Sequence, residues 1–214
     1  MPRNAGKILR TLQRAGLKRE SLEAIVLTHW HIDHTGSAAH VRRNTGAAVY
    51  AHAADRQLVE GTVVPRLPNV ATRRGRFAQW LLRKLYRRCA VDRVVGDGEL
   101  LPLAGGLRVI HVKGHTAGNV CYVHEPTGSL FLGDSLMARG DEWELPQAAF
   151  NESGDDALHS LARLRDLPIT ACYAGHGDPV TTDAAERLRG AIDRLLGTAS
   201  DQDRIGSTAA PVAK

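Results

Sequence analysis

Apolar side chains recur every three or four positions over residues 4–15, where Ile8, Leu9, Leu12 and Ala15 share one face of a predicted helix. Asn4 stands at its N-cap and Gly16 lies just past its end. The apolar stretch within residues 22–28 then predicts a short buried strand. Residues 37–45 read as a helix stopped by Gly46, and 47–51 as a second short strand. Strand-like pieces follow at 100–103 and 107–112, separated by a turn at Gly105-Gly106. Residues 120–124 and 129–132 flank Pro126-Thr127-Gly128 and predict a hairpin. A helix over 155–167, a strand over 169–174 and a helix over 182–196 complete the pattern. It describes one α/β domain over 1–197, with 61–93 as a basic helical insertion and 198–214 as a flexible tail.

Residues 76–89 are patterned differently. On a wheel at about 100° per residue, Phe77, Ala78, Leu81, Leu82, Leu85 and Tyr86 fill one half. Arg76, Arg83, Lys84, Arg87 and Arg88 fill the other, with Trp80 among them. The expectation is a helix that packs its apolar half on the body and leaves its charges in water. Arg83, Lys84 and Arg87 are then candidate contacts for an anionic substrate, with a membrane surface as the other use of such a face.

Charge sharpens that reading. The 214-residue chain carries a net charge of +5, but residues 66–93 alone hold nine Lys/Arg against one acid, Asp92. The remainder is therefore slightly acidic, and a single segment makes the chain basic. A phosphodiester substrate would suit that segment, yet no aromatic stacking platform is expected beside it, so nucleic acid is not the expected partner. No apolar run approaches the length that crosses a bilayer, and the first ten residues lack the apolar core of a secretory leader. Cys89, Cys121 and Cys172 are widely spaced and outside any C-x-x-C pattern. They predict no disulfide framework and a cytoplasmic setting.

The chemistry is concentrated in residues 28–36, T-H-W-H-I-D-H-T-G. His29, His31, Asp33 and His34 crowd into six positions directly after an apolar run. If strand geometry persists there, His29, His31 and Asp33 share one side, and a turn aims His34 at a second position. Neutral imidazole and carboxylate form the usual ligand set of zinc and its first-row neighbours. Later strand ends deliver His115, Asp134 and His176, each beside glycine, where the backbone can turn sharply. Their convergence on one centre is the economical explanation. No G-x-S-x-G elbow offers a protein nucleophile.

T-H-W-H-I-D-H-T-G, G-H-T-A-G-N at 114–119, F-L-G-D-S-L at 131–136 and A-G-H-G-D-P at 174–179, in that order, resemble the metallo-β-lactamase-fold hydrolases. The resemblance covers about residues 4–196. It implies an αββα sandwich, two mixed sheets between outer helices, with two divalent metals at one edge, zinc before manganese or iron. By position, His29, His31 and His115 look like the ligands of one metal, Asp33, His34 and His176 like those of the other, and Asp134 like the bridging carboxylate. A carboxylate rather than a cysteine at 134 is more similar to the glyoxalase II, lactonase, arylsulfatase and ribonuclease Z branches. Ala117 and Asn119 depart from the family's usual loop. Family members also carry several strands before the helix that starts here near Asn4; without them a sheet edge is bared, and a homodimer is expected.

The resemblance implies hydrolysis by a metal-bridging hydroxide, with the metals about 3.5–4 Å apart, and Asp33 and Asp134 offsetting the metal charge and holding the hydroxide. A small ester, thioester or lactone is the expected substrate, the cationic helix favouring an anionic one such as a glutathione or coenzyme A thioester. β-Lactam or phosphodiester cleavage, a mononuclear iron oxygenase or redox protein, and an inactive truncated paralogue are the competing readings.

Overall fold

The computed structural model describes residues 4–65, 71–85, 88–140 and 142–207, without the side chains at 78, 82, 85 and 198–207. Helix α1 (Ala5–Arg14) leads into strand β1 (Ala24–Val26), the short helix α2 (Ile32–Thr35), helix α3 (Ala38–Thr45) and strand β2 (Ala48–His52). Helices α4 (Arg56–Glu60) and α5 (Arg73–Leu85) precede β3 (Arg93–Val95). Strands β4 (Leu100–Leu101), β5 (Leu107–His111), β6 (Val120–His124) and β7 (Ser129–Gly133) follow, then the hairpin β8 (Met137–Arg139) and β9 (Glu142–Glu144). Helix α6 (Gly154–Ser160), strand β10 (Ala171–Ala174) and helix α7 (Ala184–Ser207) complete the described chain.

Eight of the ten described strands form two facing sheets, and β8 and β9 pair only with each other. The first is β1-β2-β3 and is parallel throughout, not mixed as expected, because helices link its successive strands. The second, β10-β7-β6-β5-β4, is mixed: β10 runs parallel to β7, and the other pairs are antiparallel. In β2, Val49 and Ala51 face outward onto Ala38 of α3 and Val59 of α4. The alternate residue Tyr50 points inward, where it meets Val109, Val120 and Tyr122 of the second sheet. Period-two alternation thus places one strand in two cores. The outer face of the second sheet packs Cys121, Leu130, Leu132 and Cys172 against Leu161 and Leu164 and against Leu188 and Ile192 of α7. Tyr122 Oη donates to Leu27 O at 2.9 Å, and Val120 N donates to Thr28 O at 2.9 Å, tying the sheets together where the metal-type motif begins. The order helix, sheet, sheet, helix is the expected αββα sandwich.

Several local expectations change. Helix α5 spans Arg73–Leu85 instead of 76–89, and Phe77 and Leu81 of its apolar half are exposed, as is Trp80. Phe77 and Trp80 stack with ring centroids 5.7 Å apart, so the basic segment does carry exposed aromatic surface. Among the described residues of α5 Gly75 is the buried one, and on the wheel it falls between Leu82 and Tyr86, at the margin of the apolar half away from Phe77. Arg83 and Lys84 are exposed, while Arg87 lies outside the described residues. The helix expected at 155–167 ends at Ser160 and tightens into a 3₁₀ turn over Leu161–Leu164. Helix α7 continues through Gly197 to Ser207, so the tail expected from 198 is helical for ten residues. An internal glycine costs only about 1 kcal/mol, too little to end a long helix. β8 and β9 occupy a stretch where the pattern predicts no element, because charged Arg139, Glu142 and Glu144 mask the alternation around Trp143.

Candidate metal centre

Topology brings the seven candidate residues to one edge. In the second sheet β5, β7 and β10 run in the same sense, so their C-terminal ends open on the same side. His115 follows β5, Asp134 follows β7 and His176 follows β10. The segment after β1 supplies the rest. It leaves the strand at Val26 and turns into α2 at Ile32, so the extended geometry that would align Asp33 with His29 and His31 does not persist. Asp33 and His34 instead ride on α2.

Ligand-type atoms fall into three overlapping groups, each within 4.8 Å: His29, His31 and His115; His29, His34 and Asp134; and Asp33, His34 and His176. Asp134 lies between them. Its Oδ1 is 3.2 Å from His34 Nε2, and its Oδ2 is 3.6 Å from His115 Nε2 and 3.5 Å from His176 Nε2. His176 Nε2 also stands 3.2 Å from Asp33 Oδ2. Gly175 makes room for this: a Cβ there would sit 2.2 Å from Asp134 Oδ1 and 2.7 Å from His34 Cε1. The two ends differ in exposure. His29 and His115 are 1% and 2% exposed, whereas the side chains of Asp33 and His176 are 38% and 50% exposed. Beside Asp33 and His34 a cleft of about 330 Å³ is walled by Lys7, Ile8, Thr11 and Leu12 of α1.

The buried imidazoles are oriented from behind. His115 Nδ1 lies 2.9 Å from Asn151 Oδ1, whose amide nitrogen in turn donates to Pro146 O. An oxygen acceptor there puts the proton on Nδ1 and leaves the lone pair on Nε2. His29 Nδ1 is 3.1 Å from Thr28 Oγ1. The far nitrogens, His29 Nε2 and His115 Nε2, are buried with no hydrogen-bond partner. Two buried, unpartnered ring nitrogens facing a carboxylate and a third imidazole form a donor set that fits a divalent metal of zinc type.

The electrostatics agree. Burial, reinforced by His34 and His115, drives the His29 pKa well down. Burial and His115 lower that of His31 to about 4, and burial lowers that of His115. Asp134 is buried too, but the hydrogen bond and charge of His34 outweigh that and hold its carboxyl below its usual range. Neutral imidazoles beside an ionised carboxylate are the ligating forms.

Residues beyond the motifs complete the site. Asn119, the departure from the usual loop, is fully buried and donates to Val112 O and Ser135 Oγ, each at 2.8 Å. Asn151, Asp55 and Glu152 contact the ligand-bearing loops and carried no signal in the sequence beyond their polarity.

A pH dependence follows for the metal-free protein. The folded state holds His29, His31 and His115 neutral, whereas the unfolded chain protonates them near pH 6.5. Stability is therefore lost as pH falls from 6.5 towards about 4, the value of His31. Asp55, raised to about 6 by burial, opposes this from about pH 6 downward, over most of the window, but is one group against three. Thermal unfolding in chelator should show a falling midpoint across this window; a flat or rising midpoint would contradict it.

Comparison with known proteins places this geometry. The metallo-beta-lactamase superfamily model matches residues 1–176. The chain is 26% identical over 215 residues to the "Probable metallo-hydrolase YflN" of Bacillus subtilis, covering 88% of this chain and 80% of that protein. It is 30% identical over 203 residues to a hydroxyacylglutathione hydrolase of Gloeobacter violaceus, covering 88% of this chain and 66% of that enzyme's length. A metallo-beta-lactamase family protein of Thermus thermophilus superposes with a TM-score of 0.66 at 27% identity, covering 94% of this chain and 68% of that one. On the family match and the sandwich that carries these seven side chains, the chain belongs to the metallo-β-lactamase superfamily.

Proposed function

We propose that this metal-dependent hydrolase cleaves a small ester, thioester or lactone at a two-metal centre. The observation that carries the reading is the pair of buried, partnerless imidazole nitrogens, His29 Nε2 and His115 Nε2, beside a carboxylate that reaches both ends of the site. His29, His31 and His115 would hold one metal, Asp33, His34 and His176 the other, with Asp134 between them. Divalent cations in such a set lower the pKa of a coordinated water and polarise a carbonyl oxygen, and zinc suits the donors best. The chain's own part is positional. Asp134 and Asp33 offset cationic charge, Asp33 from the exposed end. The buried end excludes water around His29 and His115. A relative named as a hydroxyacylglutathione hydrolase supports a thioester of anionic character. Arg83 and Lys84, and Arg87 outside the described residues, are proposed to draw such a substrate in through their charge. Three buried free cysteines suit a cytoplasmic setting, and among the described residues no helix is long and apolar enough to cross a membrane.

The proposed partner is a second copy of the chain. Among the described residues the first sheet has β1 at an edge, and α5 exposes Phe77, Trp80 and Leu81, so edge and apolar surface both suit pairing.

Elemental analysis of purified protein should find two divalent metals per chain. A panel of thioesters, lactones, β-lactams and phosphodiesters should then show turnover of the first two classes. His29→Ala and Asp134→Ala should each lower kcat/KM by more than about 100-fold; turnover unchanged in both would refute the assignment. Arg83→Gln and Lys84→Gln should each raise KM for an anionic substrate about two- to five-fold, leaving a neutral one unaffected. Equal effects on both substrates would remove these residues from recognition. Light scattering should report a dimer, and a monomer across the micromolar range would dispose of the pairing.

A further inference from the structure

Asp55 stands in the turn between β2 and α4 and is 1% exposed. Its Oδ2 accepts from Trp30 N at 2.9 Å and from Thr116 Oγ1 at 2.8 Å, and its Oδ1 accepts from Gly118 N at 2.8 Å. Trp30 is the residue between His29 and His31, and Thr116 is the residue after His115. One carboxylate therefore joins the two loops that deliver the three-imidazole group.

Glu152 makes the same connection from the solvent side. Its Oε1 accepts from Trp30 Nε1 at 3.1 Å and its Oε2 accepts from Ala117 N at 2.7 Å. Its own N–H donates to His115 O at 3.2 Å. Trp30 is thus held by its backbone from within and by its indole from without, in both cases against residues 115–118.

Burying Asp55 is expensive. No cation pairs with it among the described residues, and burial pushes its pKa up to about 6 despite three hydrogen bonds that act the other way. A buried anion that spends its hydrogen-bonding capacity on these loops makes sense where the loops need a fixed separation. Gly118 reports the same demand: a Cβ there would lie 2.6 Å from Asp55 Cγ and Oδ1, so the carboxylate closes only on a residue without a side chain. Neither acid belongs to the converging ligand groups, so neither competes for the metal.

We propose that Asp55 and Glu152 form a two-sided clamp of positioning residues that fixes the His29–His31 loop against the His115 loop and so sets the affinity and geometry of the three-imidazole site. This rests on the metal-centre reading above. The clamp raises affinity by pre-organising the three imidazoles before any ion arrives.

The test uses the full chain, with Zn(II) affinity from chelator competition, the visible spectrum of the Co(II)-loaded protein, and the unfolding midpoint in chelator. Asp55→Asn sets a donor against a donor and should weaken Zn(II) binding about 10–100-fold. Glu152→Ala, at an exposed position, should leave the metal-free midpoint near wild type yet weaken binding about 3–10-fold. Both should shift the Co(II) bands. Thr116→Val, which removes one of the three bonds to Asp55 without changing charge, should fall between wild type and Asp55→Asn. A purely structural role would lower the metal-free midpoint and leave affinity and Co(II) bands unchanged in Glu152→Ala and Thr116→Val, and that result overturns the clamp. A wild-type protein that binds neither ion overturns the metal-centre reading with it, a distinguishable failure.

Discussion

An imidazole nitrogen buried without a bonding partner is the constraint on which this end of the sandwich depends. His29 Nε2 and His115 Nε2 are both in that state. Each such group forfeits about 1–3 kcal/mol of hydration, so the protein must gain elsewhere or fill the gap. The fold concentrates the cost at one edge. A parallel first sheet sends the chain out of β1 and β2 on the same side, so the His29–His31 loop and the Asp55 turn emerge together. In the second sheet β5, β7 and β10 share their sense and deliver His115, Asp134 and His176. Strand direction, more than any single contact, makes the seven side chains meet.

Support is built outward in rings. Asn151 and Thr28 fix how the two buried imidazoles present their far nitrogens. Asp55 and Glu152 fix how the loops carrying them stand apart. Asn119 and Ser135 then tie the His115 loop to the segment after Asp134 through buried hydrogen bonds. Each ring draws its partners from a different part of the chain.

What the sequence revealed follows from how local each feature is. His29, His31, Asp33 and His34 sit in one short motif, and His115, Asp134 and His176 sit beside glycines at strand ends, so residue type and spacing suffice. Seven of the ten described strands were legible from apolar runs, to within a residue or two at most ends, whereas β3, β8 and β9, each three residues long and carrying charged positions, were not. Asp55 and Glu152 were not, because their partners are backbone N–H groups, an indole and a hydroxyl 25 to 122 positions away. Such contacts leave no periodicity. The expected alignment of Asp33 with His29 and His31 failed because α2 begins at Ile32, and a helical turn separates what an extended chain would have aligned. On α5 the expected apolar half is exposed at its two described members, while the side chains at 78, 82 and 85 and the whole of residue 86 lie outside the described residues. Phe77 and Leu81 do share a side, with Trp80 close by, and nothing among the described residues covers them.

The unequal exposure of the two ends carries the last step. His29 and His115 are sealed, whereas Asp33 and His176 reach solvent beside a cleft walled by α1. Under the proposed function a substrate would enter at this open end, by Asp33 and His34. Lys7 lines that cleft, adding a cation where an anionic group would enter. The sealed end has the opposite requirement: its imidazoles must stay neutral and fixed, which burial and the surrounding hydrogen bonds accomplish. A rigid dry end beside an open one suits the proposed hydrolysis, in which the sealed imidazoles would hold an ion firmly and the open end would admit water. Asp134 reaches both ends because its two oxygens face different imidazoles, His34 on one side and His115 and His176 on the other. A single carboxylate can therefore couple the environments without a change of rotamer.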